Sequence, residues 1–316
     1  MGDTAAQAND GLVVTTEDRA GRLRLNRPGA GNRITSEMRG GLARGLEQFA
    51  RDPHIYCAIL EAAGNGPFCL GAEAGLRPDR ETLSAAAGGI WQVDRFCKPH
   101  VALLAGAVTG AGLAVTLPGT HKVASNGVTL SGGGFEVSSL LAPLSGHVGL
   151  YMALTGRSID RSLAYRLGLL THCIEAVHFP AITARLADAD PVDQVLDELH
   201  TEPWPSPLEP HLPLIARCFA AASPDAIVSR LDAERGVSAG WAQETAATLR
   251  AASLLDLAVM HRLLTLQATL LLRDRLALAF RVALNSRTAR SVDDHFLLLA
   301  DGELSLPPEQ RPPSIS

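Results

Sequence analysis

The chain has 316 residues, 47% of them hydrophobic, and a formal net charge of −5. That apolar fraction excludes a disordered protein, and the length suffices for one sizeable core with an appendage. The balance is acidic with no basic block, so nucleic acid is not indicated as a direct partner.

Residues 1–11 carry two Asp and no Lys or Arg, unlike a secretory signal or an arginine-rich transit peptide, and are expected to form a flexible tail. Leu12 to Val14 and Leu23 to Leu25 read as paired strands about a turn at residues 18–21. Ser36 is expected to cap a helix whose Met38, Leu42, Leu46 and Phe49 recur at helical spacing. Ile55 to Leu60 returns to strand. Residues 77–95 are polar and Ala-rich, and predict a mobile helix. Val101 to Leu104 is an apolar strand, followed by Gly110, Ala111 and Gly112 at a helix start. Strands are predicted again at His121 to Ala124 and Val128 to Leu130. This alternation predicts an α/β core with covering helices.

Beyond His178 the character changes to helices over 181–200, 206–236 and 238–285. Leu263 to Leu284 is the most apolar stretch. Arg273, Asp274, Arg275 and Arg281 interrupt it, which argues for a buried helix or a subunit contact and against a membrane span. From Leu306 the prolines 307, 308, 312 and 313 predict an extended end. The expected organisation is a core over 12–180, a helical region over 181–300, and flexible tails at 1–11 and 303–316.

The five cysteines, Cys57, Cys69, Cys97, Cys173 and Cys218, are odd in number and mostly lie in apolar runs. That usage fits a reducing intracellular compartment. No pair has zinc-ligand spacing and the histidines do not cluster, so no metal is expected.

The first amides of a helix lack intrahelical partners and lie at the positive end of its dipole. Small residues at 110–112 would let a ligand oxygen approach them, the requirement of an oxyanion hole. A second glycine-rich turn, Gly64-Asn65-Gly66-Pro67-Phe68-Cys69-Leu70-Gly71-Ala72-Glu73, follows the strand at 55–60. These two turns, together with Leu25-Asn26-Arg27-Pro28 and the following Asn32 and Ile34-Thr35, resemble the crotonase (enoyl-CoA hydratase/isomerase) superfamily. The resemblance implies a right-handed spiral of ββα turns and an acyl-CoA ligand. It also implies that the thioester oxygen is held by the amides of Ala72 and Ala111. Leu70, Gly71, Gly110 and Gly134 become candidate substrate-binding positions, with Leu70 and Ala111 bulkier than the family's Ala and Gly. Glu73 fills a position that usually holds the first turn by hydrogen bonds.

Gly149-Leu150-Tyr151-Met152-Ala153-Leu154-Thr155-Gly156 and the run Tyr165-Arg166-Leu167-Gly168-Leu169-Leu170-Thr171-His172 are similar to the 3-hydroxyisobutyryl-CoA hydrolase branch. That branch implies thioester hydrolysis in valine degradation, in a mitochondrial matrix or bacterial cytoplasm. Coenzyme A would enter only as part of the substrate, with no separate cofactor. The family's carboxylates are missing in register. Ala114 stands at the first position, as in the hydrolases, Gly134 stands at the second, and the aspartate-bearing loop has no room before Gly146. Glu136 is the only acidic residue between 131 and 146 and is the candidate replacement. Ser131, Ser138 and Ser139 have no neighbouring His or Asp to activate them. Two functions therefore compete. One is an acyl-CoA hydrolase. The other is a non-catalytic member serving as a homo-oligomer or assembly subunit through its C-terminal helices, as relatives do in mitochondrial ribosomes.

Overall fold

The computed structural model describes residues 7–9, 11–73, 78–297 and 304–307. Among the described residues, eleven strands form two sheets. The first contains β1 (Gln7–Asn9), β2 (Leu12–Glu17), β3 (Ala20–Leu25), β4 (Cys57–Ala62), β6 (His100–Leu104), β8 (His121–Ala124) and β11 (His172–Cys173), neighbouring one another in that order. The second runs β10-β9-β7-β5, from β5 (Cys69–Leu70), β7 (Ala107–Thr109), β9 (Thr129–Ser131) and β10 (Ile159–Asp160). Between β4 and β9 the chain alternates between the sheets, leaving one strand in each per turn. This is the spiral that the resemblance implies.

The opening hairpin pairs Leu12 with Leu25 and Val14 with Leu23, as their spacing predicts. From β3 onward the first sheet is parallel. Its inner strands β4, β6 and β8 bury apolar residues on both faces, as strands covered on both sides do. Ile59, Val101, Leu103 and Val123 face one way, against Ile182 and Leu186 of α7 (Phe179–Ala187) and Val195 and Leu196 of α8 (Val192–Asp197). Leu60, Ala102, Leu104 and Ala124 face the main core.

That core is covered by α1 (Ser36–Arg51), α2 (Arg80–Asp94), α3 (Ala111–Thr116), α4 (Phe135–Leu141), α5 (Val148–Thr155) and α6 (Arg161–Arg166). The helix cap is Thr35, not Ser36, since the Thr35 hydroxyl accepts from Met38 N at 3.1 Å. Ser36 is already helical. Gly149 lets α5 lie directly on α4, because a Cβ there would collide with the Leu141 carbonyl. The C-terminal helices are α9 (Leu212–Phe219), α10 (Pro224–Asp232), α11 (Ala239–Arg250), α12 (Leu254–Gln267), α13 (Leu272–Asn285) and α14 (Val292–Phe296). Both α12 and α13 pack on α4, and α13 also packs on α2.

The apolar stretch around 263–284 is therefore two helices. The chain turns at 268–271, where buried Gln267 donates Nε2 to the Arg275 carbonyl at 2.8 Å. Phe280 is buried, whereas Leu266, Leu270 and Leu271 at the hairpin tip are exposed. Within the stretch 77–95 the helix α2 spans Arg80–Asp94, packed between α1 and α13, and residue 77 lies outside the described residues. Of the two expected tails, β1 pairs with β2, and residues 304–307 lie on α2, where the Trp91 indole donates to the Pro307 carbonyl at 3.0 Å. The rest of both tails lies outside the described residues. Among the described residues no helix is long and apolar enough to cross a membrane.

Candidate active site

The first glycine-rich turn is built by cross-links to the segment before α1. Ile34 N donates to the Gly71 carbonyl at 2.9 Å, and Glu73 N donates to the Ile34 carbonyl at 3.0 Å. These bonds use the groups on either side of Ala72 and leave the Ala72 N–H on the opposite edge. Arg33 Nη1 donates to the carbonyls of Leu70 at 2.6 Å and Ala72 at 3.3 Å. Buried Asn32 accepts from Arg27 N at 2.9 Å and donates to the carbonyls of Ala63 and Pro67, both at 3.1 Å. The Glu73 carboxylate accepts from Arg27 Nη2 at 2.8 Å, and Arg27 Nη1 donates to the Arg33 carbonyl at 3.2 Å, so Glu73 ties the turn to the segment before α1 together with Arg33 and Asn32.

The second turn enters α3. Gly110 has φ +47 and ψ −115, a backbone that side chains rarely allow, and the Ala111 N–H that follows begins the helix without an intrahelical acceptor. Gly71 has φ +88. A Cβ on Gly110 would lie 3.5 Å from Gly71 Cα, so the two peptide units ahead of Ala72 and Ala111 lie side by side with no side chain between them.

Ala72 and Glu73 border a cavity of about 980 Å³. Its other walls are Ser36 and Arg39 of α1, the inner face of α2, the loop Gly133-Gly134 with Phe135 and Glu136, and Leu276, Ala279, Phe280 and Ala283 of α13. Gly134, at φ +91, caps α4, and Glu136 sits in its first turn. The Glu136 carboxylate thus shares one cavity with the Ala72 turn. Arg39 Nη1 donates to Glu136 Oε1 at 2.8 Å.

The remaining candidates lie elsewhere. The side chain of Ala111 is buried at the start of α3, and Leu70 packs over Gly31. Ala114 is interior to α3, where a carboxylate would be buried. Ser138 is spent on the Phe135 carbonyl of its own helix at 2.9 Å. Cys69, beneath the turn, offers no nucleophile, since burial pushes its thiol up to about 11. No group of side chains able to hold a metal ion occurs among the described residues.

The sequence gives no sign of Arg39, or of α13 as a wall. The apolar recurrence at 276, 279, 280 and 283 marks a buried face but not what it covers.

The family described as enoyl-CoA hydratase/isomerase matches residues 20–295. The mitochondrial 3-hydroxyisobutyryl-CoA hydrolase of Xenopus tropicalis is 27% identical over 307 residues, covering 86% of this chain and 77% of that protein. The small ribosomal subunit protein mS47 of Arabidopsis thaliana is 23% identical over 280 residues, covering 80% and 68%. Among solved structures, a carnitinyl-CoA dehydratase from Mycobacterium thermoresistibile superposes with a TM-score of 0.84 at 24% identity, over 94% of this chain and 99% of that one. That likeness speaks for the fold.

Proposed function

The chain belongs to the enoyl-CoA hydratase/isomerase family, and from that premise we propose that it is an acyl-CoA thioester hydrolase of the 3-hydroxyisobutyryl-CoA type. The observation that carries this reading is the shared cavity of Glu136 and the Ala72 turn. In the proposed reaction the thioester oxygen lies against the N–H groups of Ala72 and Ala111, and Glu136 draws a proton from an attacking water. The water oxygen bonds the carbonyl carbon, and the oxyanion is held by the two amides. Collapse breaks the C–S bond, and the departing thiolate takes the proton back from Glu136. The products are the free acid and coenzyme A, with no separate cofactor. The supporting comparison is the Xenopus hydrolase, a protein named as mitochondrial. We assign this chain to a mitochondrial matrix or a bacterial cytoplasm, in keeping with its five unpaired cysteines.

The test is thiol release from 3-hydroxyisobutyryl-CoA by wild type and Glu136→Gln. Loss of the proton acceptor is expected to cost ~10²–10⁴ in rate and to leave coenzyme A binding by calorimetry unchanged. Equal rates for the two proteins would remove Glu136 from the mechanism.

A second reading is a non-catalytic subunit of a larger assembly or homo-oligomer, docked through the C-terminal helices. The observation that favours it is that a relative bears the name of a ribosomal protein. It predicts no thiol release from wild type.

A further inference from the structure

Glu136 is the second residue of α4, just after Gly132-Gly133-Gly134 and Phe135, and its own segment gives the carboxylate no hydrogen-bond partner. The restraint comes from 97 residues earlier in the chain. Arg39 lies on α1, whose Met38, Leu42, Leu46 and Phe49 are fixed in the core. Its side chain is only 10% exposed and that of Glu136 23%. The bond from Arg39 Nη1 engages Oε1 alone, and among the described residues Oε2 accepts no hydrogen bond. Glu136 is half-buried and lines the cavity, so its second oxygen is the one a bound molecule can reach. A charge-assisted bond from a rigid helix removes the rotamer freedom that an unsupported glutamate would have to lose in each turnover.

We propose that Arg39 is the positioning residue of this site: it holds Glu136 Oε1 so that Oε2 is presented to the thioester. The proposal rests on the hydrolase reading of the cavity. It gives a physical account of how one displaced carboxylate could serve where Ala114 and Gly134 leave none.

Two measurements on the full chain test it. The first is carbodiimide-coupled amine labelling of Glu136, followed by mass spectrometry. Arg39→Met should raise the labelling rate on the order of tenfold, and Arg39→Lys should restore part of the protection. The second is thiol release from 3-hydroxyisobutyryl-CoA. Arg39→Met should lower kcat by about ten- to a hundredfold with KM nearly unchanged. In a Glu136→Gln background the same substitution should cost nothing more, because the residue acts through Glu136. Unchanged labelling overturns the proposal whatever the rates. So does an equal loss of kcat from Arg39→Met with and without Glu136. If labelling rises but wild type releases no thiol, Arg39 still holds Glu136 and it is the hydrolase reading that fails. Arg39→Lys keeps the labelling comparison open should Arg39→Met not fold.

Discussion

The two walls of the cavity are built in opposite ways. On one side, the Ala72 turn is tied to the segment before α1 by three backbone bonds, two bonds from Asn32 Nδ2 and the guanidinium of Arg33. On the other, the Gly132–Gly134 loop hands Glu136 to a single ion pair. The difference matches the chemistry proposed for each. An oxyanion site depends on backbone dipoles fixed before the substrate arrives, and a dense cross-linked turn supplies that. A proton-transferring group needs only its reacting atom in place, and one well-anchored partner can set it.

The comparison breaks most readily at the back of the loop wall. Gly149→Ala drives a methyl into the Leu141 carbonyl and should cost about 3 kcal/mol or more in a urea melt. If the walls are independent, the protein that remains folded should lose thiol release and keep coenzyme A binding. Equal loss of both would show the walls to be one unit.

Acid should lower the stability of the whole fold. Burial holds the imidazole of His100, the first residue of β6, down at about 4 against its ordinary 6.5. A histidine kept neutral in the fold leaves the unfolded chain to take up the proton. Stability is therefore complete above pH 6.5 and falls as the pH drops toward 4. The loss should reach up to about 3 kcal/mol. His100→Gln should flatten that part of the stability–pH curve, and an unchanged slope would locate the acid sensitivity elsewhere.

Asn32→Ala strips the turn wall of three bonds and places a methyl residue at φ +51. A loss of about 2 kcal/mol is expected, with coenzyme A affinity falling more than kcat. The reverse pattern would mean that this turn does not carry the thioester. Leu70→Ala is the mildest change, because Leu70 packs on Gly31 outside the cavity. It should cost about 1 kcal/mol and leave coenzyme A affinity nearly intact by calorimetry. A clear gain in affinity would put the side chain in the ligand's path after all.

What could be read from the residues was local. The glycines at 71 and 110 mark backbone that side chains do not tolerate, and the paired strands at 12–25 announce themselves by alternation. The alternation of strands and helices from 55 to 130 pointed to the layered core. Thr35 and Ser36 are adjacent hydroxyl residues, either able to cap, and only geometry decides between them. The turn at 268–271 has no Gly or Pro, so its sequence reads as uninterrupted helix. The break becomes sensible once α12 and α13 are both seen lying on α4. Arg39 was invisible for a different reason. An ion pair across 97 residues leaves no periodicity in either partner, and a buried arginine on an amphipathic helix looks like any other charged position.

The order of the strands has a consequence for how the chain is made. In both sheets each strand joins the edge left by its predecessor, and none inserts between two already paired. A nascent chain emerging from its N-terminus can therefore lay down the sheets in the order of synthesis. Until synthesis reaches β11, the first sheet carries an open parallel edge, a template for mispairing with other chains. The last strand is only two residues long, His172–Cys173, and so short an edge gives another chain little to pair with. The helices that cover the outer face, α7 and α8, are the next segments to emerge.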